Sequence, residues 1–184
     1  MKVILISGKM RHGKDTFANE LKKQLEENNK KVLIVHYGDY LKYCLKEYYG
    51  WDGIKDEKGR TLLQHFGTEI VRAKDENFWV DTVARLISAI KEEWDYVLIP
   101  DVRMPNEIDR IYDFFSWDEI ITVRIERWID PNTPYTDPTS TRAQREHYSE
   151  IALDNYAFQY IIENYHLWAM YDVVNNFIKE IEEN

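Results

Sequence analysis

Apolar residues gather in five short runs, at residues 3–7, 32–36, 96–100, 120–125 and 160–162. Each run is apolar on both faces, which predicts strands of a parallel sheet covered on both sides. Between the runs, apolar positions recur at helical spacing. Residues 14–27 place Phe17, Ala18, Leu21 and Leu25 on one face. Residues 77–92 do the same with Trp79, Val80, Val83, Leu86, Ile87 and Ile90, and Asp75 stands ahead as an expected N-cap. Residues 167–182 carry Met170, Val173, Val174, Phe177 and Ile181. Strands alternating with helices imply right-handed crossovers, so the expected fold is α/β: three layers, αβα, around a five-stranded parallel sheet.

Two segments interrupt this rhythm. Residues 39–72 form a mainly helical insert after the second strand. Residues 130–149 hold Pro131, Pro134 and Pro138 in their first third, which predicts an irregular loop on a rigid scaffold. No repeat or linker divides the 184 residues, so one domain, 1–184, is expected with these two inserts.

The strongest local signal lies at the end of the first run: Gly8-Lys9-Met10-Arg11-His12-Gly13-Lys14-Asp15-Thr16. The spacing G-x-x-x-x-G-K, between a strand and a helix, is that of a Walker A phosphate loop. Glycines let the loop turn its N–H groups inward, and the next helix offers unpaired donors and its positive end. Lys14 then neutralises the outer phosphates of ATP. One position departs from the strict motif: Asp15 stands where Ser or Thr normally meets Mg²⁺, with Thr16 one residue later. Either side chain could serve the metal, and Lys9 and Arg11 would offset the extra carboxylate.

Composition narrows the function further. The net charge of −9 disfavours nucleic acid as a partner, since that needs a basic face. The longest clean apolar runs, at 3–6 and 97–99, are too short to cross a bilayer, so no membrane partner is expected. No leader pattern precedes the first strand, and Cys44 is the only cysteine; both readings favour the cytoplasm. The five histidines show no metal-ligand spacing.

The chain resembles the phage and bacterial deoxynucleoside monophosphate kinases and the related animal-type phosphomevalonate kinases. The resemblance rests on the G-K-D loop, on residues 63–72 (LQHFGTEIVR), on Asn77-Phe78-Trp79-Val80 and on residues 99–107 (IPDVRMPNE). It continues in His147-Tyr148-Ser149-Glu150 with Leu153-Asp154, and in Ile161-Ile162-Glu163-Asn164. It implies a P-loop, nucleoside monophosphate kinase-like fold in which residues 39–72 bind the acceptor and residues 130–149 form a lid. The implied reaction is Mg²⁺-dependent phosphorylation of a nucleoside monophosphate by ATP. Phosphomevalonate or another phosphorylated small molecule is the alternative acceptor, and a non-catalytic nucleotide-binding regulator is the rival from another class.

Individual residues then acquire expected roles. Asp101, at the tip of a buried strand, sits where a metal-side acid belongs, or caps a turn before Pro105. Arg103, two residues on, could clamp the acceptor phosphate or pair with Asp101 or Glu107. Arg72 is implied as a second acceptor-phosphate group, although a helix-end arginine also complements the dipole. Asp39, Lys42 and Trp79 are expected at the acceptor's body, with Asp39 alternatively capping a helix. Arg142 and Arg145 in the lid are candidates to close over the transferring phosphoryl group, or belong to a solvated charged loop; Arg145 is the better candidate, although sequence alone does not settle it, and Glu150 and Asp154 either orient them or lie on an amphipathic helix surface. Asn164 is expected beside adenine. The aromatic residues between Tyr37 and Trp51 predict either a substrate pocket or a homodimer face.

Overall fold

A computed structural model describes residues 1–54 and 56–183; Lys55, within the expected first insert, and Asn184 lie outside the described residues. Strand β1 (Lys2–Ser7) runs through the centre of the sheet. Beside it lie β3 (Tyr96–Val102) and β4 (Ile120–Asp130), flanked in turn by β2 (Val32–Ile34) and β6 (Tyr160–Asn164). All of these pairings are parallel, in the order β2-β3-β1-β4-β6. A two-residue strand, β5 (Thr133–Pro134), folds back antiparallel on the end of β4, so the sheet gains a sixth member inside the expected lid.

Helices cover both faces. On one, α1 (Lys14–Glu27) and α8 (Met170–Glu183) pack Phe17, Leu21, Leu25, Val174 and Phe177 against Ile4, Ile6, Val123 and Ile125. On the other, α4 (Phe78–Ile90) and the short α5 (Asn106–Asp109) bring Val80, Val83, Ile87 and Ile108 to Val3, Leu5, Val97 and Ile99. Alternate residues of β1 thus feed two separate cores, which is why the strand reads as continuously apolar.

Three expectations change at the margins. Strand β6 is an edge strand, and its alternation exposes Ile161 instead of burying both faces. Leu86 points outward from α4, on the side away from the sheet. Helix α4 starts at Phe78, and Asp75 caps the turn before it, accepting from Asn77 N–H at 3.0 Å.

The first insert is helical, as expected. It comprises α2 (Gly38–Tyr49) and α3 (Glu57–Gln64), and α3 continues as a wider π-helical stretch, His65–Arg72. Gly67 in that stretch faces Leu41 so closely that a Cβ there would meet its methyl at 2.7 Å. Tyr40, Tyr43, Tyr48 and Tyr49 are exposed on α2. In the expected lid and just past its end, α6 (Arg142–Arg145) and α7 (Tyr148–Ile151) are single turns joined by irregular chain. Among the described residues no helix is long and apolar enough to cross a membrane.

Candidate active site: a phosphate loop under a charged lid

The loop from Gly8 to Gly13 joins β1 to α1 at the carboxyl edge of the sheet. Its shape requires glycine at both ends. Gly8 has φ 152°, and a Cβ there would sit 2.6 Å from the Ile125 carbonyl oxygen. Gly13 has φ 100°, and its Cβ would meet Asn164 Nδ2 at 2.7 Å. Arg11 adopts a left-handed φ of 61° between them. Asn164, buried at the end of β6, donates from Nδ2 to the His12 carbonyl at 2.9 Å. Its amide therefore braces the loop from below, a role distinct from the expected adenine contact. His12 is also buried, and its Nδ1 accepts from Arg127 N–H at 3.1 Å. Burial pushes the imidazole down to about 4, so the ring is neutral at physiological pH.

Lys14 opens α1 and folds back over the loop. Its Nζ donates to the carbonyls of Gly8 at 2.6 Å and Lys9 at 3.0 Å. Burial, assisted by the nearby Arg103 guanidinium, pushes the ammonium down to about 8. Asp15 and Thr16 follow in the first turn of α1, both exposed. His36 Nε2 lies 4.0 Å from the Asp15 carboxylate. Among the described residues no group of three or more His, Cys, Asp or Glu is arranged to hold a metal.

Above the loop, cations and carboxylates interleave. Glu150, at α7, accepts from Met10 N–H at 2.7 Å and pairs with the Arg103 guanidinium. Asp154 lies between Lys9 and Arg124, 2.8 Å from each. Asp137 holds Arg11 at 3.2 Å. Glu150, Asp154 and Asp137 line a cavity of about 410 Å³ together with Lys9, Met10, Arg124, Arg127, Tyr135 and Arg145. The Arg127 guanidinium carbon lies over the Tyr135 ring, 4.0 Å from its centre.

The two lid arginines part company. Arg145 lines the cavity and donates to Ser140 Oγ at 3.1 Å and to the Ser140 carbonyl. Arg142 is 83% exposed and pairs with Glu146 along its own helix. Of the two, Arg145 is the one that faces the cavity.

On the side expected to take the acceptor, Asp101 accepts from the N–H groups of Tyr37 (3.0 Å) and Gly38 (3.1 Å). It caps α2, so the capping role falls on the first insert and not on the turn before Pro105. Arg103 pairs with Glu150, and neither Asp101 nor Glu107 takes its guanidinium. Arg72 ends the π-helical stretch and meets the Glu107 carboxylate, with Met104 Sδ 3.0 Å from its other nitrogen. Asp39 and Lys42 pair with each other at 2.8 Å at the start of α2. Trp79 is 4% exposed, and its Nε1 donates to the Gly67 carbonyl at 3.1 Å. The indole is thus core to the insert, with only its neighbours Tyr40 and Phe78 reaching the surface. Sequence reasoning places Arg124 on the strand before the lid without a site role, and takes Glu107 only as a partner for Arg103. Arg124 is a buried arginine at strand position 124, opposite Ser7, and a charge inside an apolar strand was the available signal.

No protein-family model matches the chain. Phosphomevalonate kinase of Drosophila melanogaster is 30% identical over 130 residues, covering 68% of this chain and 67% of the relative. The chain belongs to the phosphomevalonate kinase family of P-loop kinases. Solved structures of similar fold include a gluconokinase from Sinorhizobium meliloti 1021 (TM-score 0.54, 7% identity, 99% of this chain and 94% of that one). Shikimate kinase from Bacteroides thetaiotaomicron is another (TM-score 0.52, 15% identity, 98% of each chain). A third is a Mycobacterium tuberculosis APS kinase mutant (TM-score 0.52, 10% identity, 100% of this chain and 97% of that one). These three likenesses show the three-layer fold alone. This family member is a kinase that phosphorylates a small molecule. The resemblance read from the sequence is shown at that level, and the deoxynucleoside monophosphate acceptor is not.

Proposed function

We propose that the chain transfers the γ-phosphoryl group of ATP to the phosphate of a small phosphomonoester. The observation that carries this reading is the convergence of Lys14 and Arg103. Glu150 takes both the Met10 N–H of the loop and the Arg103 guanidinium, which brings Arg103 beside the loop and near enough to help lower the Lys14 ammonium; donor and acceptor phosphates would then have adjacent seats. An acceptor oxygen attacks the γ-phosphorus in line, the bond to ADP breaks with its electron pair leaving on ADP, and a new P–O–P anhydride forms.

The loop N–H groups and Lys14 hold the donor phosphates in this reading. Arg103 and Arg72 hold the acceptor phosphate. Arg145 and Arg124 face the cavity where equatorial charge develops, and closure of residues 130–149 excludes water. Arg142 contributes only if its helix turns inward. Mg²⁺ would be held by the Asp15 carboxylate, 79% exposed, or by Thr16, and otherwise by phosphate oxygens and water. That sparse protein donor set fits an ion that arrives with the nucleotide, and the ion would neutralise β- and γ-phosphate charge. Asp101, committed to α2 by two hydrogen bonds, fits a positioning role beside that ion.

Two acceptor bodies compete. The family relative supports phosphomevalonate, which was the alternative acceptor in the sequence reading. The exposed rings of Tyr40 and Tyr43, stacked 6.3 Å apart beside the Asp39–Lys42 pair, favour a nucleoside monophosphate. ADP release measured with phosphomevalonate, dNMPs and NMPs decides between them. Absence of turnover with every phosphomonoester, alongside ATP binding, would overturn the proposed function and favour a nucleotide-binding regulator.

A further inference from the structure

Glu107 is a buried carboxylate with no part in the chemistry above. It is 2% exposed, on α5, at the back of the acceptor side. A charge so buried needs several partners to offset the loss of water. Burial pushes its carboxyl up, and the Arg72 guanidinium pulls against that shift.

Its partners are unusual in where they lie along the chain. Oε1 meets Arg72 at the end of the π-helical stretch. Oε2 accepts from the backbone N–H groups of Arg103 at 2.6 Å and Met104 at 3.1 Å. The Glu107 carbonyl accepts from the buried Tyr37 hydroxyl at 2.7 Å, immediately ahead of α2. One residue therefore joins the end of β3, the end of the first insert and its beginning. Two of the three joined points carry the arginines assigned to the acceptor phosphate.

We propose that Glu107 is a positioning residue: its carboxylate fixes the spacing between the Arg72 guanidinium and the backbone of Arg103, and so sets the span of the acceptor-phosphate seat. This rests on the reading of those two arginines given under Proposed function. A side chain placed there only for stability would have no reason to join both arginines by opposite oxygens. The ATP seat touches it only indirectly: the loop backbone is braced by Asn164 on the far side of β1, and its link to Glu107 runs through Arg103 and Glu150.

The test is steady-state kinetics of Glu107→Gln with ATP and whichever of phosphomevalonate, dTMP and dGMP the unaltered enzyme turns over best. The amide keeps the volume but cannot accept from both sides. KM for the acceptor is expected to rise about ten- to a hundredfold while KM for ATP stays within about twofold. Glu107→Asp, which keeps the charge on a shorter stem, is expected to give a smaller rise of the same kind and serves if the amide variant does not fold. Equal changes in both KM values, or loss of stability with unchanged KM values, would overturn the inference. Arg103→Ala and Arg72→Ala separate the two levels. If they raise the acceptor KM and neither Glu107 variant does, the positioning role fails alone. If they leave it unchanged, the assignment of the acceptor seat fails, and this inference with it.

Discussion

The phosphate loop and the lid border the same cavity and are built in opposite ways. The loop is fixed by its surroundings: a carbonyl of β4 packs against Gly8, a buried amide holds His12, and a neutral histidine is locked beneath. The lid holds two single turns at a rim of polar and charged pairs: Arg142 with Glu146, Arg145 with Ser140, Asp137 with Arg11 of the loop, and Glu150 with Met10 N–H and Arg103. Backbone donors pinned by a core cost nothing to reorganise when an anion arrives. Ion pairs at a partly exposed rim can be exchanged for pairs with phosphate at little net cost. The difference fits the proposed division, in which the loop recognises the nucleotide and the lid times the transfer.

The largest test of that division is Lys14→Ala, expected to lower kcat/KM by about a thousandfold, since the side chain serves binding and transfer together. Arg145→Ala is expected to lower kcat by about a hundredfold with the ATP dissociation constant nearly unchanged, whereas Arg142→Ala changes either by less than about twofold. Equal effects from the two arginines in stopped-flow or steady-state assays would erase the distinction drawn from their exposure. Gly13→Ala attacks the loop's frame and not its charge. It is expected to weaken ATP binding about tenfold in calorimetry, because a methyl meets Asn164 and φ 100° is strained for alanine. Glu150→Gln is the smallest and has the opposite sign. It frees the Met10 N–H and Arg103 from a full carboxylate, and the nucleotide is expected to bind about two- to fivefold tighter. Weaker binding in that variant would show that Glu150 supports the loop instead of competing for it.

Legibility followed the same boundary. The loop could be read from nine consecutive residues because its chemistry is local: glycine conformations, a helix start and one lysine. The layers were equally readable, since β1 feeds both cores and shows it in every residue from Val3 to Ile6. What escaped the sequence depends on long-range pairing. Trp79 reads as a substrate wall until Gly67 supplies its hydrogen-bond partner. Asp101 reads as a strand-tip acid until α2 brings two N–H groups to it. Glu107 enters the sequence reading only as an alternative partner for the Arg103 side chain, and the guanidinium it takes is that of Arg72, 35 residues earlier. Strand β6 looked like its neighbours because three residues cannot reveal which strand is at the edge.

The claim under all of this is that a pre-shaped loop and a partly desolvated Lys14 receive the nucleotide's phosphates. Lys14 is held near 8 in the free protein, well under its ordinary 10.5, and bound phosphates would raise it again. Binding above about pH 8 therefore takes up a proton, and affinity falls as pH rises through that point. Titration calorimetry of Mg²⁺-ATP at pH 8.5, repeated in buffers of different ionisation enthalpy, measures this directly. The account predicts proton uptake in the unaltered protein that disappears in Lys14→Ala; equal proton uptake in both proteins, or binding of equal strength, would contradict it.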